Sequence, residues 1–457
     1  MSYKRGLQLA KFARRHLGRM GQGRREVMRH LTAPTAANLP MPTFVQLRVT
    51  NLCNLRCKMC GQWGDTGIYR SDGFPASATD GQSEGARIRE LIGLNRQMDL
   101  PDYVRLLDEI APWQPIVSLF GGEPLLYPDI LPLVREIKKR GLTCTIITNG
   151  GRLEQYARDL VEAGIDSIAV SIDGPEEVHN RIRGKADAYQ KAVDGVRAIA
   201  RWRKELGRPM PMQIAILPVT ELNIGDIAAA VAALRELPID TINVGLRWFV
   251  PKETGSEYES VMRETFGVAG DSWKGFEFDA KAAMDGTKTR QMTDLVKLLK
   301  GLKRRRFLDS AQGKPWTSFV PDVAPSKVPE YFSDFQQTFG HNLCPVAWYF
   351  AQVEPDGDVT FCGDFPDYVI GNVRRETFRE VWTGEKATRF RDKLAKEPLP
   401  ICNRCCGNFV YGKWDRPEGT GAGNREPSDQ RTETAAVLRG QLDRGSGIKM
   451  RIGGPNP

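Results

Sequence analysis

Three cysteines follow an apolar run that is typical of a β-strand. Cys53, Cys57 and Cys60 are spaced C-x3-C-x2-C and come directly after residues 44–50. Each iron of a cubane [4Fe–4S] cluster takes one thiolate, so three cysteines leave one iron open to an outside ligand. An open metal position is a place for chemistry, as it is at catalytic zinc sites. The triad therefore favours a reactive cluster over a zinc site, which would prefer four closed ligands.

Short polar motifs follow the next three β-type runs. The first is rich in glycine, which allows the backbone to approach a ligand closely, and its one carboxylate suits an ammonium group. The other two place hydroxyl, amide and carboxylate groups at strand ends. The motifs are Gly121-Gly122-Glu123-Pro124, Thr148-Asn149-Gly150 and Ser171-Ile172-Asp173-Gly174.

A second group of cysteines lies in the C-terminal part of the chain. Cys344 and Cys362 are followed by Cys402, Cys405 and Cys406 within a run of five residues. Four thiolates would close a cluster, which suits electron transfer or structure rather than direct substrate binding. A four-thiolate zinc site is the alternative.

These motifs resemble those of the radical S-adenosylmethionine (SAM) enzymes, and the later cysteines resemble those of the SPASM/twitch subgroup. The resemblance implies that SAM chelates the open iron. An electron from a flavodoxin or a ferredoxin then cleaves SAM to methionine and a 5′-deoxyadenosyl radical, which abstracts a substrate hydrogen atom. The resemblance also implies one auxiliary [4Fe–4S] cluster, because Tyr411 stands where the next ligand of a fuller set would fall. Its implied ligands are Cys344, Cys362, Cys402 and Cys405.

The same resemblance assigns residues to SAM. The Gly-Gly-Glu-Pro motif would contact the SAM amino group, and Ser171 and Asp173 would contact its ribose or amino acid end. Arg183 would pair with the SAM carboxylate, and the alternative is a salt bridge to an acid of the barrel. Met59 stands where the family usually has an aromatic residue near adenine. Asn149 would either contact SAM or shape a turn.

Two cysteines remain outside these sets. Cys144 lies within the third β-type run and is predicted to be a buried small hydrophobic residue. Cys406 directly follows a predicted cluster ligand. A spare or structural role is the first hypothesis for Cys406, and donation of a hydrogen atom to a substrate radical, as in some radical SAM epimerases, is the second.

Apolar β-type runs alternate with amphipathic helical patterns from residue 44 to about residue 250. Near-continuous apolar strands separated by helices predict parallel βαβ units in an α/β fold. Six units suit the partial (β/α)6 TIM-type barrel that the resemblance implies, with its site at the C-terminal strand ends. The predicted strands cover residues 44–50, 116–120, 143–148, 167–172, 213–219 and 241–246.

The other segments divide the chain further. Residues 61–98 have no periodicity and are predicted to be a flexible insertion, either a lid or a surface loop. Residues 251–340 form a helical or irregular bridge, and residues 341–412 form the small cysteine-rich SPASM/twitch-like domain, in which Pro355-Asp356-Gly357 predicts a hairpin turn. The Gly-, Arg- and Pro-rich residues 413–457 are predicted to be a loose tail.

The positive charge is concentrated in the N-terminal extension, residues 1–43. Residues 1–31 contain nine Lys or Arg and one acid, which gives +8 of the formal net charge of +9. This segment is interpreted either as a solvated basic tail or as a helix that contacts an anionic membrane or another anionic partner. An organelle transit peptide has a similar composition. No module for nucleic-acid binding is recognisable, so no nucleic-acid partner is expected.

Composition sets the remaining expectations. The 457 residues, 41% hydrophobic and 26% charged, are typical of a globular protein. Nine cysteines without an export signal favour metal binding in a reducing, cytoplasmic setting. The expected activity is oxidation or epimerisation of a small-molecule, sugar or lipid-linked substrate. The alternatives are a peptide-modifying enzyme with a separate peptide-binding partner and a non-catalytic iron–sulfur electron carrier or redox sensor. The sequence does not identify the substrate.

Overall fold

The computed structural model describes residues 39–63, 67–69, 97–279, 289–405 and 407. The basic segment 1–31, most of the predicted insertion 61–98, Cys406 and the tail 413–457 lie outside these residues. Ten strands are present in the part that the structure describes. They are β1 (Phe44–Arg48), β2 (Ile116–Phe120), β3 (Thr143–Thr148), β4 (Ser167–Ser171), β5 (Met212–Val219), β6 (Thr241–Leu246), β7 (Trp316–Val320), β8 (Phe350–Val353), β9 (Asp358–Thr360) and β10 (Gly371–Asn372).

Helices alternate with the first six strands and dominate the later chain. No helix of the described residues is both long and apolar enough to cross a membrane. The α-helices are α1 (Leu100–Ile110), α2 (Ile130–Lys139), α3 (Leu153–Ala163), α4 (Glu176–Arg183), α5 (Ala188–Glu205), α6 (Ile227–Arg235), α7 (Lys252–Phe266), α8 (Thr289–Ala311), α9 (Val328–Ser333), α10 (Val346–Tyr349), α11 (Phe378–Thr383) and α12 (Glu385–Lys396).

Local sequence signals set several helix ends. Asp99 caps α1 by accepting a hydrogen bond from the backbone of Asp102 at 2.9 Å, and Pro101 occupies the first turn. Gly164 and Gly184 end α3 and α4 with positive φ angles of 77° and 71°. Glycine adopts this left-handed conformation without a steric penalty, so each helix stops where the chain must turn back to the sheet.

The ten strands form one sheet in the order β10-β9-β8-β1-β2-β3-β4-β5-β6-β7. All neighbours from β8 through β1 to β7 are parallel, and β8, β9 and β10 pair antiparallel. The α/β class and the six predicted strands are confirmed. Two strands of the parallel sheet were not predicted: β7 lies within the segment expected to be helical or irregular, and β8 comes from the cysteine-rich region.

The hairpin predicted at residues 355–357 is confirmed. Strands β8 and β9 pair antiparallel across it, and the backbone N–H of Gly357 donates to the carbonyl of Glu354 at 3.0 Å. Gly357 has a φ of 93°, which explains why glycine is needed there. The hairpin returns the chain so that Cys362 lies two residues beyond the end of β9.

The two faces of the parallel sheet differ in burial. In β5, Gln213, Ala215, Leu217 and Val219 are buried, whereas the alternate residues are partly exposed. Because parallel strands in such folds are covered by helices on their outer face, the partly exposed positions line the concave inner face. The residues in register with Phe44 and Gln46 on β1 to β8 are Phe44, Gln46, Arg48, Ile116, Ser118, Phe120, Thr143, Thr145, Ile147, Ser167, Ala169, Ser171, Met212, Ile214, Ile216, Pro218, Thr241, Asn243, Gly245, Trp316, Ser318, Val320, Phe350 and Gln352.

Candidate active site

The three-cysteine loop begins directly after β1, at the C-terminal edge of the sheet. Cys53 and Cys57 are buried, Cys60 is partly buried, and all three are free thiols. The loop is anchored by apolar packing of Leu52 and Leu55, which are buried in the core. Two backbone hydrogen bonds hold the loop further. The N–H of Cys60 donates to the carbonyl of Cys57 at 3.1 Å, and the N–H of Lys58 donates to the carbonyl of Ile182 in α4 at 2.9 Å. The loop is therefore held in place by the protein itself.

The electrostatics of Cys53, Cys57 and Cys60 fit a cluster whose iron–sulfur core carries a positive charge. Burial, together with the neighbouring thiols Cys57 and Cys60 and with Glu123, raises the pKa of Cys53 well above its usual value. Burial also raises the pKa of Cys57, to about 11, although Arg183 opposes that rise. Three neighbouring thiolates would repel one another in a dry site unless a positive charge lay between them. An iron–sulfur cluster supplies that charge, so the donor set fits one.

Arg183 and Asp173 form a buried ion pair beside Cys57. The Arg183 guanidinium donates to the Asp173 carboxylate through Nε at 2.5 Å and through Nη2 at 2.7 Å. Its Nη1 lies 3.7 Å from Cys57 Sγ. Of the two alternatives for Arg183, the structure shows the salt bridge to a barrel acid. The pair fixes the guanidinium against a predicted cluster ligand.

Glu123 connects the loops that follow β2 and β3. Its carboxylate is fully buried and accepts hydrogen bonds from Thr148 Oγ1 at 2.7 Å, from the backbone of Asn149 at 2.8 Å and from the backbone of Leu125 at 3.0 Å. Burial raises the pKa of Glu123, while these hydrogen bonds oppose the rise. Glu123 thus binds neighbouring protein groups and orients the motif that carries Asn149.

Asn149 lies between the third-strand motif and the cluster loop. Its side-chain amide donates to Asn54 Oδ1 at 2.9 Å and is 3.8 Å from Cys53 Sγ. Its Oδ1 accepts a hydrogen bond from the backbone of Gly151 at 2.8 Å, which closes a turn. The residue therefore shapes a turn and also contacts a predicted cluster ligand.

The glycines of the Gly-Gly-Glu-Pro motif lie against the backbone of the cluster loop. A Cβ atom on Gly121 would lie 2.5 Å from the carbonyl oxygen of Thr50, and one on Gly122 would lie 2.2 Å from that of Leu52. Gly122 donates its N–H to Thr50 and Glu123 donates to Leu52, both at 2.8 Å. Close approach of a ligand is one predicted reason for glycine at these positions, and close contact with the loop of Cys53 is a second.

The remaining predicted SAM residues lie around this edge. Ser171 ends β4 on the inner face and is partly exposed, Met59 lies partly exposed in the turn before Cys60, and Pro124 starts a short 3-10 helix. The structure therefore brings every predicted SAM residue to the C-terminal edge of the sheet. Their contacts with SAM remain predictions.

The four later cysteines also lie together. The thiol of Cys402 hydrogen-bonds to Cys344, which lowers the pKa of Cys344, while the same contact and burial raise the pKa of Cys402. Burial and the nearby Cys344 and Cys405 raise the pKa of Cys362 well above its usual value. Four mutually close thiols suit a closed cluster. No group of three or more Cys, His, Asp or Glu side chains among the described residues has the arrangement that would hold a single metal ion.

Sequence reasoning missed a polar group that lies between the two cysteine sites. It consists of Arg48 with Gln62, Tyr69, Glu354 and Asp364. The one available signal was Arg48 itself, a charged residue in an otherwise neutral strand. Its partners come from two regions about 300 residues apart, the segment after Cys60 and the β8–β9 hairpin region, so no local pattern could connect them.

Comparison with protein families gives the class of this protein. The Radical SAM superfamily model matches residues 47–264, and the model of the iron–sulfur cluster-binding domain SPASM matches residues 344–406. The chain belongs to the radical SAM superfamily, in its SPASM/twitch subgroup. It is therefore a radical SAM enzyme that uses SAM, a [4Fe–4S] cluster and an auxiliary [4Fe–4S] cluster.

Characterised relatives differ in what their names describe. The chain is 23% identical to the pre-heme d1 synthase of Dinoroseobacter shibae over 82% of this chain and 81% of that protein. It is 26% identical to the tungsten-containing aldehyde ferredoxin oxidoreductase cofactor-modifying protein of Pyrococcus furiosus, over 79% of this chain and 86% of that protein. Among solved structures, anSMEcpe with bound AdoMet aligns with a TM-score of 0.49 at 16% identity, covering 82% of this chain and 92% of that one.

Proposed function

We propose that this enzyme oxidises a neutral small-molecule, sugar or lipid-linked substrate by removing a hydrogen atom from an unactivated C–H bond. The observation that carries the proposal is the chemistry of the inner face. Of the inward residues on β1 to β8, Arg48 alone is charged, and it is paired with Glu354 at 3.2 Å. An inner face of neutral polar, aliphatic and aromatic side chains favours an uncharged substrate portion.

The protein's own residues prepare the site for this reaction. Asp173 holds the Arg183 guanidinium against Cys57. Asn149 contacts Cys53, and Glu123 fixes the turn that carries Asn149. When bound, the cluster and SAM supply the 5′-deoxyadenosyl radical that abstracts the hydrogen atom. The concave inner face surrounds the substrate and limits its contact with water. The contacts of Gly121, Gly122, Pro124, Ser171 and Met59 with SAM are part of this proposal.

The closed set of four later thiols supports net oxidation. Dehydrogenation removes a second electron and a proton from the substrate after the hydrogen atom has left. A four-thiolate cluster suits the acceptor of that electron, because it has no open position for a substrate. Epimerisation, which requires a hydrogen donor in place of an electron acceptor, depends on Cys406, which lies outside the described residues. We propose a flavodoxin or a ferredoxin as the initial electron donor.

A second candidate substrate is a tetrapyrrole, since the pre-heme d1 synthase is similar over most of both chains. Haem-type tetrapyrroles carry carboxylate side chains, and proteins bind carboxylates with Arg or Lys. The inward strand residues offer only Arg48, which is paired with Glu354. We therefore rank a tetrapyrrole second and a peptide delivered by a separate partner third.

The setting of the enzyme is also proposed. Nine cysteines and two oxygen-sensitive clusters suit a reducing cytoplasm. The +8 charge of residues 1–31 would attract an anionic membrane surface. Binding to anionic liposomes that is lost when residues 1–31 are deleted would support this contact, and no binding by the full chain would rule it out.

The test is an anaerobic assay of the reconstituted enzyme with SAM and a reductant. We expect 5′-deoxyadenosine to form, and we expect Cys53→Ala to abolish it. Deuterium from a labelled neutral sugar or lipid-linked sugar should appear in 5′-deoxyadenosine, and the product should lack two hydrogen atoms. Absence of 5′-deoxyadenosine with both clusters intact would overturn the activity. Deuterium transfer only from a tetrapyrrole or a peptide would overturn the substrate class.

A further inference from the structure

Arg48 is a buried cation at the point where β1 runs into the cluster loop. Its side chain is fully buried, and its Nε lies 3.2 Å from Glu354 Oε2 on the strand-end that follows β8. The guanidinium also stacks over two rings, 4.7 Å from the centre of Tyr69 and 5.0 Å from that of Phe120. Arg48 is thus the charged centre of the inner face.

The same guanidinium contacts both cysteine loops. Its Nη1 donates to Gln62 Oε1 at 3.2 Å, and Gln62 is two residues beyond Cys60. Its Nη2 donates to the carbonyl of Gly363 at 3.3 Å, and Gly363 directly follows Cys362. One side chain therefore contacts the chain within two residues of a ligand of each predicted cluster.

A second hydrogen bond runs in parallel with the Arg48 contacts. Gln62 Nε2 donates to Asp364 Oδ1 at 3.2 Å. Asp364 is two residues beyond Cys362, as Gln62 is two residues beyond Cys60, so the link is nearly symmetric about the two loops. Gln352 on β8 strengthens one end by donating to the Gly363 carbonyl at 3.1 Å.

The charge on Arg48 is retained despite burial. Burial opposes it, but Tyr69, Glu354, Asp364 and Cys60 together keep the pKa of Arg48 above its usual value. The charged guanidinium lies next to the loop of Cys60, because its Nη1 donates to Gln62 two residues further on. A buried positive charge favours an added electron nearby, since the low-dielectric interior screens it weakly.

We propose that Arg48 is a positioning residue that joins the two cluster loops through Gln62 and Gly363 and favours the reduced form of both clusters. An arginine suits this role because its planar fork donates in several fixed directions at once. Lysine would keep the charge and lose the simultaneous contacts. Glu354 holds the fork through an ion pair at 3.2 Å, and the ring of Tyr69 packs against it at 4.7 Å.

The test compares reduction potentials, measured by EPR-monitored titration with dithionite, in fully loaded variants. Adding one electron makes a cluster more negative, so Arg48→Gln should shift both midpoint potentials to more negative values. Asp364→Asn removes a negative charge from the same position and should shift them to more positive values. Arg48→Lys should shift them less than Arg48→Gln. Opposite signs for Arg48 and Asp364 are not expected from a purely structural role.

The matched control is Arg203→Gln. Arg203 is also buried and ion-paired, with Asp240 at 3.0 Å, but its hydrogen bond to Pro211 places it before β5, at the opposite edge of the sheet. The Arg203→Gln substitution should lower the unfolding temperature and leave both reduction potentials unchanged. Unchanged potentials in Arg48→Gln at full iron content would overturn the proposal, and so would shifts of equal sign in Arg48→Gln and Asp364→Asn.

If Arg48→Gln does not load iron, Gln62→Leu provides the second measurement. It leaves the charge in place and removes the direct link to Asp364, so hydrogen exchange should become faster in both cysteine loops. Unchanged exchange in either loop would overturn the proposed link. The inference rests on the seven cysteines as cluster ligands, and the iron content of the unaltered enzyme tests that assignment separately.

Discussion

At the scale of single residues, His179 is a buried histidine whose ring stays neutral beside Asp173. The backbone N–H of Asp173 donates to His179 Nδ1 at 3.1 Å, so the proton of the neutral ring is on Nε2. The ring is fully buried and packs edge-on against Tyr189 at 5.9 Å. Burial and Arg183 lower the pKa of His179 to about 4, although Asp173 opposes this. The negative charge of Asp173 is therefore balanced by Arg183 and not by His179.

This lowered pKa predicts a loss of stability at mildly acidic pH. The unfolded chain takes up a proton on this histidine as the pH falls through about 6.5, whereas the folded protein does so only near 4. Stability due to His179 is therefore complete at neutral pH and declines below 6.5. Between pH 7.5 and 5.5 we expect a loss of about 1 kcal/mol that His179→Asn lacks.

The measurement is the unfolding temperature of both proteins across that pH range. Asparagine retains an acceptor close to the position of Nδ1, so any packing cost should already be visible at pH 7.5, where the histidine is neutral in both states. The difference between the two proteins should then narrow as the pH falls. A constant difference would contradict the neutral buried histidine.

Functional residues that stand at fixed intervals along the chain could be predicted from the sequence. The seven predicted ligands and the Gly-Gly-Glu-Pro motif were identifiable because cluster loops need fixed intervals of residue types. Arg48, Gln62 and Asp364 were not identifiable, because their contact depends on the sheet, which brings together residues that are 302 positions apart. Two alternative partners were predicted for Arg183, the SAM carboxylate and an acid of the barrel. The fold identifies that acid as Asp173.

At the scale of elements, Arg404 ties the last cysteine loop to helix α9. It lies between Cys402 and Cys405 and donates to the carbonyls of Tyr331 at 2.8 Å, Asp334 at 2.5 Å and Gln337 at 2.9 Å. Aromatic rings surround the guanidinium, the nearest of them Tyr331 at 4.5 Å. Burial lowers the pKa of Arg404 to about 10. One side chain thus connects the loop that carries Cys402 and Cys405 to α9 and to the residues that follow α9.

Arg404→Met is expected to destabilise the protein by about 3 kcal/mol, since buried carbonyls lose a charged donor. The auxiliary site should suffer more than the first, because Cys402 and Cys405 flank the altered residue. Iron per chain, EPR signals and unfolding temperature measure both effects. Arg304→Met on the exposed face of α8 is the control and should change none of them. Full iron content and an unchanged unfolding temperature in Arg404→Met would contradict the expected clamp.

The predictability of the elements follows from the range of their contacts. Strands β1 to β6 alternate with helices along the chain, and this local alternation is visible in the sequence. Strand β7 follows the long helix α8 and, among the described residues, pairs with β6 alone, at the end of the sheet. Strand β8 pairs with β1, about 300 residues earlier in the chain, so its place in the sheet is fixed by tertiary packing alone.

At the scale of the whole molecule, the cysteine-rich region is built into the barrel. Four residue pairs join β1 to β8, from Phe44 with Phe350 to Leu47 with Val353. Asp367 accepts hydrogen bonds from Tyr258 on α7 at 2.8 Å and from the backbone of Ser272 at 3.1 Å. Removing this region would therefore expose one edge of the parallel sheet and leave Arg48 buried without Glu354.

A chain ending at residue 340 is expected to lose the first cluster site although it keeps Cys53, Cys57 and Cys60. Strand β1 would become an exposed edge, and an uncompensated buried charge is strongly destabilising. We expect aggregation in gel filtration and little iron per chain. The matched control ends at residue 415, keeps β8 and all seven predicted ligands, and should stay monodisperse with both clusters. A stable chain of 340 residues with a fully loaded first cluster would show instead that the barrel folds without β8, and that the link through Arg48 is dispensable for its assembly.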